Sequence, residues 1–141
     1  MSETLKISDL AVGDWVKVGD GLIAQVEYPR LRHDLVGVRF AEPFRAQAIL
    51  VEKQNVELEY IHPIPITPEI LKSNGWYEDD YDTGTDYITD NTVIMYNKER
   101  KDWKACIMNG SPVVRVKVFF SYVHELQQAL RLAGINKEIV L

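Results

Sequence analysis

The sequence predicts an α+β protein: an N-terminal SH3-like small β-barrel followed by an antiparallel sheet with a short helix and a C-terminal covering helix. Three observations carry that expectation. Leu10 to Val26 sets two alternating segments on either side of a reversal at Gly19-Asp20-Gly21, as small barrels commonly open. Further alternating segments between Tyr87 and Phe120, broken by short polar turns, read as an antiparallel meander. Tyr122 to Ala133 then carries one apolar stripe at helical spacing, which needs a sheet to cover.

The first strand is expected at Trp15 to Val18, after the Gly13-Asp14 turn. The second, Leu22 to Tyr28, puts Leu22, Ala24 and Val26 on one face and Ile23, Gln25 and Glu27 on the other. Pro29 stops it, having no N–H for the ladder. Leu35 to Phe40 reads as a third strand and Ala46 to Val51 as a fourth, separated by Glu42-Pro43-Phe44. Strands this short and close together cannot cover two faces, so a curled barrel over residues 1–62 is the expected closure.

Residues 63–141 are expected to form the second domain. Ile61 to Ile66 is an extended connector, since Pro63 and Pro65 each bias the preceding residue away from helix. Thr67 reads as an N-cap with Pro68 at the first helical position, Glu69 in the first turn and a stop at Asn74-Gly75. Trp76 to Asp90 is aromatic and acidic and assigns firmly to no element, except that Tyr87 to Thr89 begins a strand pattern. Thr92 to Tyr96, Trp103 to Met108 and Val113 to Phe120 continue it. In the last of these Val114, Val116, Val118 and Phe120 share a face, with Arg115 and Lys117 opposite, the antiparallel signature of one buried and one wet face. Ser121 is the expected N-cap of the closing helix and Gly134 its stop. Val123, Leu126, Leu130 and Ala133 form the stripe.

Composition limits the function classes. Of 141 residues, 46% are hydrophobic and 26% charged, which suits a packed globular chain and not a disordered one. Met1-Ser2-Glu3-Thr4 has neither a basic start nor an apolar core, so no secretory leader is expected. One cysteine, Cys106, permits no internal disulfide, and cytoplasm is the expected compartment. Sixteen basic residues against twenty-one acidic argue against broad nucleic-acid binding, which needs a cationic surface. Charge is unevenly spread. Thr67 to Asn97 holds one base, Lys72, against seven acids, whereas Lys98 to Leu141 holds eight bases against four acids.

Two phrases stand out: Pro63-Ile64-Pro65-Ile66-Thr67-Pro68-Glu69-Ile70-Leu71-Lys72-Ser73-Asn74-Gly75-Trp76, and Tyr122-Val123-His124-Glu125-Leu126-Gln127-Gln128. With Gly13-Asp14-Trp15-Val16 before them, the chain resembles a group of small uncharacterised proteins of gut bacteria and their phages and mobile elements. The resemblance covers most of the length. It implies a fold and a habitat, and carries no catalytic residues.

No recognised catalytic constellation is present. His33, His62 and His124 stand in no metal-ligand spacing, and Cys106 has no base at a telling distance in sequence. The acidic run through Asp86 lacks the twelve-residue calcium pattern and its closing glutamate. No cofactor, metal, small-molecule ligand or membrane is therefore expected, and the chain reads as a non-enzyme. The expected function is an interaction module, an accessory protein of a phage or mobile element that binds a protein partner. The candidate contact residues are Tyr77, Glu78, Asp79, Asp80, Tyr81 and Asp82, where acids supply steering and tyrosines contact area. The alternative is a nucleic-acid-associated protein using Arg30, Arg32, Arg39 and Arg45 on the barrel.

Overall fold

The computed structural model describes residues 5, 9–19, 22–28, 35–40, 55–57, 60–110 and 114–141. The chain divides into two compact units, residues 1–64 and 65–141. It is a mixed α+β protein with, among the described residues, two antiparallel five-stranded sheets and two helices.

The first unit holds β1 (Trp15–Val18), β2 (Leu22–Tyr28), β3 (Leu35–Phe40), β4 (Asn55–Glu57) and β5 (Ile61–His62), in the order β4-β3-β2-β1-β5. Among the described residues no pairing joins β4 to β5, and no closed barrel is found among them. The fourth strand expected at Ala46 to Val51 lies outside the described residues. Register sets Val16 opposite Ala24 and Val26 opposite Val38, and these four pack with Leu5, Leu10 and Ile61 into the core of the unit. A bulge between Val26 and Tyr28 bends β2.

Trp15 is buried, but its one-residue offset from Val16 turns it to the face away from that core. The neighbouring Asp14 is fully buried. Its carboxylate accepts the Ala11 N–H at 2.8 Å, and its carbonyl accepts the Val26 N–H at 2.9 Å, tying the turn to β2. This accounts for the Gly-Asp-Trp start in physical terms. Asp14→Ala is expected to cost about 1–3 kcal/mol, the range for orphaning a buried donor of a charge-assisted bond. An unchanged denaturation midpoint would show the carboxylate to be dispensable.

The second unit opens with α1 (Pro68–Ser73), capped by Thr67 Oγ1, which accepts the Ile70 N–H at 3.2 Å. Gly75 follows at φ 94°, the left-handed conformation a helix stop requires. Then come β6 (Tyr77–Tyr81), β7 (Gly84–Ile88), β8 (Thr92–Asn97), β9 (Asp102–Asn109) and β10 (Val114–Phe120), an uninterrupted antiparallel meander. The closing helix α2 is Val123–Leu132, with Tyr122 and not Ser121 at the N-cap position. The reason is Glu125, whose carboxylate reaches back to accept the N–H groups of Ser121 and Tyr122 at 3.0 and 3.1 Å. A bridge to Pro65 also holds Tyr122 extended.

Alternation gives this sheet two unlike faces. The inner one carries Tyr87, Ile94, Ala105, Ile107, Val116 and Phe120, all buried, and α2 lies over its β9–β10 side with Val123, Leu126 and Leu130 fully buried. Trp103 joins the aromatic rings of this face, 4.7 Å from Tyr96, 5.8 Å from Tyr87 and 6.3 Å from Phe120 between centroids. The outer face carries the residues between these positions, and several stand exposed.

Candidate functional site

The acidic segment that assigned to no element is a hairpin. Tyr77 pairs with Ile88 and Tyr81 with Gly84, leaving Asp82 and Thr83 as the turn, so β6 is an edge strand of the sheet. Acids are poor strand formers, and their side chains explain why this strand holds. On the inner side Glu78 accepts the Tyr87 hydroxyl at 2.9 Å and faces Lys72 at 3.7 Å. Asp80 accepts the Thr85 hydroxyl at 2.7 Å and pairs with Lys98 at 2.9 Å. These contacts hold the Asp80 carboxyl below its ordinary range, the bond from Thr85 first and that from Lys98 next. Lys98 also donates to the Tyr81 carbonyl at 2.6 Å, pinning the far end of the hairpin.

On the outer side the Tyr81 hydroxyl donates to Asp86 at 2.8 Å, which raises the phenol above its ordinary value. Its ring lies beside Gly84, where the close approach of the Tyr96 backbone explains the glycine. A Cβ there would stand 2.5 Å from the Tyr96 carbonyl oxygen and 3.2 Å from the Tyr81 hydroxyl.

The six candidate contact residues therefore fall into two sets. Glu78 and Asp80 lie on the inner side, where their carboxylates bond within the hairpin and its neighbours, although Asp80 stays exposed. Tyr77, Asp79, Tyr81 and Asp82 are exposed, Tyr77 at 71%. Arg39 is exposed in β3, opposite Gln25 on the face turned from the core. Arg30, Arg32 and Arg45 lie outside the described residues, as does His33.

Cys106 and His124 do not meet. Cys106 is half-buried on the outer face of the sheet, opposite Val93 and Lys117. His124 is buried in the first turn of α2, on the other side, stacked on Tyr122 at 6.0 Å. Its Nδ1 makes no hydrogen bond. Among the described residues no three His, Cys, Asp or Glu side chains gather as a metal site, and no helix is long and apolar enough to cross a membrane.

Reading the chain as a string missed the rest of the outer face. Ile88, Val93, Met95, Lys104, Met108 and Phe119 share it, with Met108 53% and Phe119 62% exposed. The signal lay in β9 and β10, where apolar residues occupy both faces. Lys104 stands over the Phe119 ring at 5.5 Å, so even the basic end of this face keeps an aromatic surface.

Tyr87 offers a pH test of the hairpin. Burial, and then its bond to Glu78, push the phenol well above the ordinary value of 10.0. The unfolded chain therefore loses this proton first. The stability it contributes is complete below about pH 10 and falls as pH rises beyond it. Tyr87→Phe is expected to flatten the alkaline loss of stability, and absorbance titration should show the latest-ionising phenol of the folded wild type missing from the variant. Identical alkaline profiles for the two chains would show that Tyr87 is solvated.

No protein-family model, curated protein or solved structure matches this chain.

Proposed function

We propose that the chain is a non-enzymatic interaction module that binds a protein partner, acting in the cytoplasm as an accessory protein of a phage or mobile element. One observation carries the reading: β6 is an edge strand whose exposed tyrosines, Tyr77 and Tyr81, alternate with acids on a sheet face that also exposes Met108 and Phe119. Edge strands present unpaired backbone groups, and exposed aromatics supply the desolvated contact that charge alone lacks. The acids set the sign of the partner's surface as basic and speed encounter. In this reading the N-terminal sheet is an SH3-like module, curled by the bulge in β2.

The test is capture of partners from native-cell extract by the wild type and by the triple variant Tyr77→Ser, Asp79→Asn, Asp82→Asn. Asp80 is left alone because it holds the hairpin. The variant should keep its thermal transition and lose its partners, and wild-type capture should weaken between about 50 and 300 mM salt as screening shortens. Full retention by the variant, with the same salt response, removes β6 from the function.

A further inference from the structure

We infer that the outer face of the second sheet is self-complementary and pairs, face to face, with the same face of a second copy of this chain. This rests on the reading that the chain works by binding protein through that face, and it names the partner.

The face is polarised along the strand order. At the β6–β7 side it carries Asp79 and Asp86; at the β9–β10 side it carries Lys104, Arg115 and Lys117. Between them lies an apolar middle, with Val93 and Met95 on the central strand β8. Asp79 and Asp86 stand directly opposite one another in register, and like charges so placed repel. No ion pair among the described residues engages Asp79, Asp86, Arg115 or Lys117; the pairs that form involve other side chains. The acids lack a cation and the cations lack an anion, at opposite ends of one face.

Symmetry selects the pairing. A two-fold axis parallel to the strands and passing over β8 turns the strand order around, so the acidic end of each copy covers the basic end of the other. Met95 and Val93 then meet their own counterparts on the axis. An axis across the strands would lay acid on acid and base on base. Only the first arrangement is both closed and charge-matched, as an isologous interface requires. Five strands at about 4.8 Å spacing give a face roughly 20 Å across, at the small end of specific interfaces, so the dimer is a weak one. Stacked sheets sit about 10 Å apart, close to the screening length at 0.1 M salt, so association is salt-sensitive.

The experiment is sedimentation equilibrium on the full chain, about 5 to 200 μM, in low and high salt. Two variants carry the test: Arg115→Glu with Lys117→Glu, whose face is acidic at both ends, and Asp79→Lys with Asp86→Lys, whose face is basic at both. Asp79, Arg115 and Lys117 are exposed; Asp86 is half-buried and accepts the Tyr81 hydroxyl, so a thermal scan checks that each variant folds. The wild type should dimerise at tens of micromolar and dissociate as salt rises. Each variant alone should associate at least tenfold more weakly, and an equimolar mixture should recover a one-to-one heterodimer. Met95→Glu, which sets two like charges together on the axis, should be monomeric.

A wild type that stays monomeric throughout overturns the proposal, and so does a dimer indifferent to both charge reversals. A mixture that fails to pair does the same. If the wild type is monomeric while capture still depends on Tyr77, Asp79 and Asp82, the second copy is removed and the protein-binding reading stands. If neither dependence is found, both fall.

Discussion

Removing residues 121–141 is expected to abolish cooperative unfolding of the second unit and to leave an aggregating remnant. The deletion strips α2 and the segment after it from the sheet, together with the fully buried Val123, Leu126 and Leu130 and the 1%-exposed Ile139. At about 1.5–3 kcal/mol for each fully buried aliphatic side chain, these four are worth more than roughly 6 kcal/mol. A domain's whole stability is about 5–15 kcal/mol, so the sheet has little left. It would also present Ile107, Val116 and Phe120 to water as one apolar patch with two open edges. A milder version is Leu126→Ala, expected to cost about 2–5 kcal/mol. Urea unfolding followed by circular dichroism, with the soluble fraction after expression, checks both. A soluble truncated chain with a sharp transition would mean that α2 is an ornament on a sheet stable without it.

Much of the second unit was legible because its physics is local. Thr67, Pro68 and Gly75 mark α1 by capping and backbone conformation alone, and the stripe of α2 follows from helical periodicity. The hairpin at Tyr77 to Ile88 was not legible, because a run of acids contradicts strand propensity. What stabilises it comes from elsewhere: Lys72 from α1, Lys98 from the β8–β9 turn, and Tyr87 and Thr85 from the facing strand. Ser121 was a reasonable cap by type, yet Glu125 satisfies the same N–H groups through a longer reach. In the first unit, the alternation through β2 put Ala24 and Val26 on one face, and both lie in the core. Closure into a barrel is a long-range property, and no residue pattern encodes it.

The candidate site divides along the same line. Sequence placed acids and tyrosines together between residues 77 and 82. Only register separates Glu78 and Asp80, which serve the hairpin, from Tyr77, Asp79 and Tyr81, which face outward. The outer-face cations Lys104, Arg115 and Lys117 are far from these acids in sequence, and the meander brings both sets onto one surface. A charge count along the chain detects an acidic middle and a basic end without showing that they share a face.

Trp76→Ala is the second substitution expected to carry a large cost, about 3–5 kcal/mol, the range for emptying a buried tryptophan site. Trp76 is 3% exposed, directly after the Gly75 stop, and its N–H donates to the Leu71 carbonyl at 3.1 Å. The Lys137 ammonium lies over its ring at 4.7 Å, and two residues earlier Asn74 grips the terminal segment. The Asn74 side chain accepts the Val140 N–H at 2.7 Å and donates to the Val140 carbonyl at 3.0 Å, imitating a strand partner. The indole therefore sits under a segment that returns from the other end of the unit. Its Nε1–H, however, is buried without a hydrogen bond, a loss of about 1–3 kcal/mol that the wild type already bears. Trp76→Phe removes that orphan along with part of the ring, so its cost should be far below that of the alanine variant. Lys137→Ala should cost only about 0.5–1 kcal/mol, the worth of an exposed cation–π contact. Chemical denaturation of the three variants ranks these terms. If Trp76→Phe proves as costly as Trp76→Ala, the indole N–H has a partner after all, and hydrogen bonding rather than volume holds the segment in place.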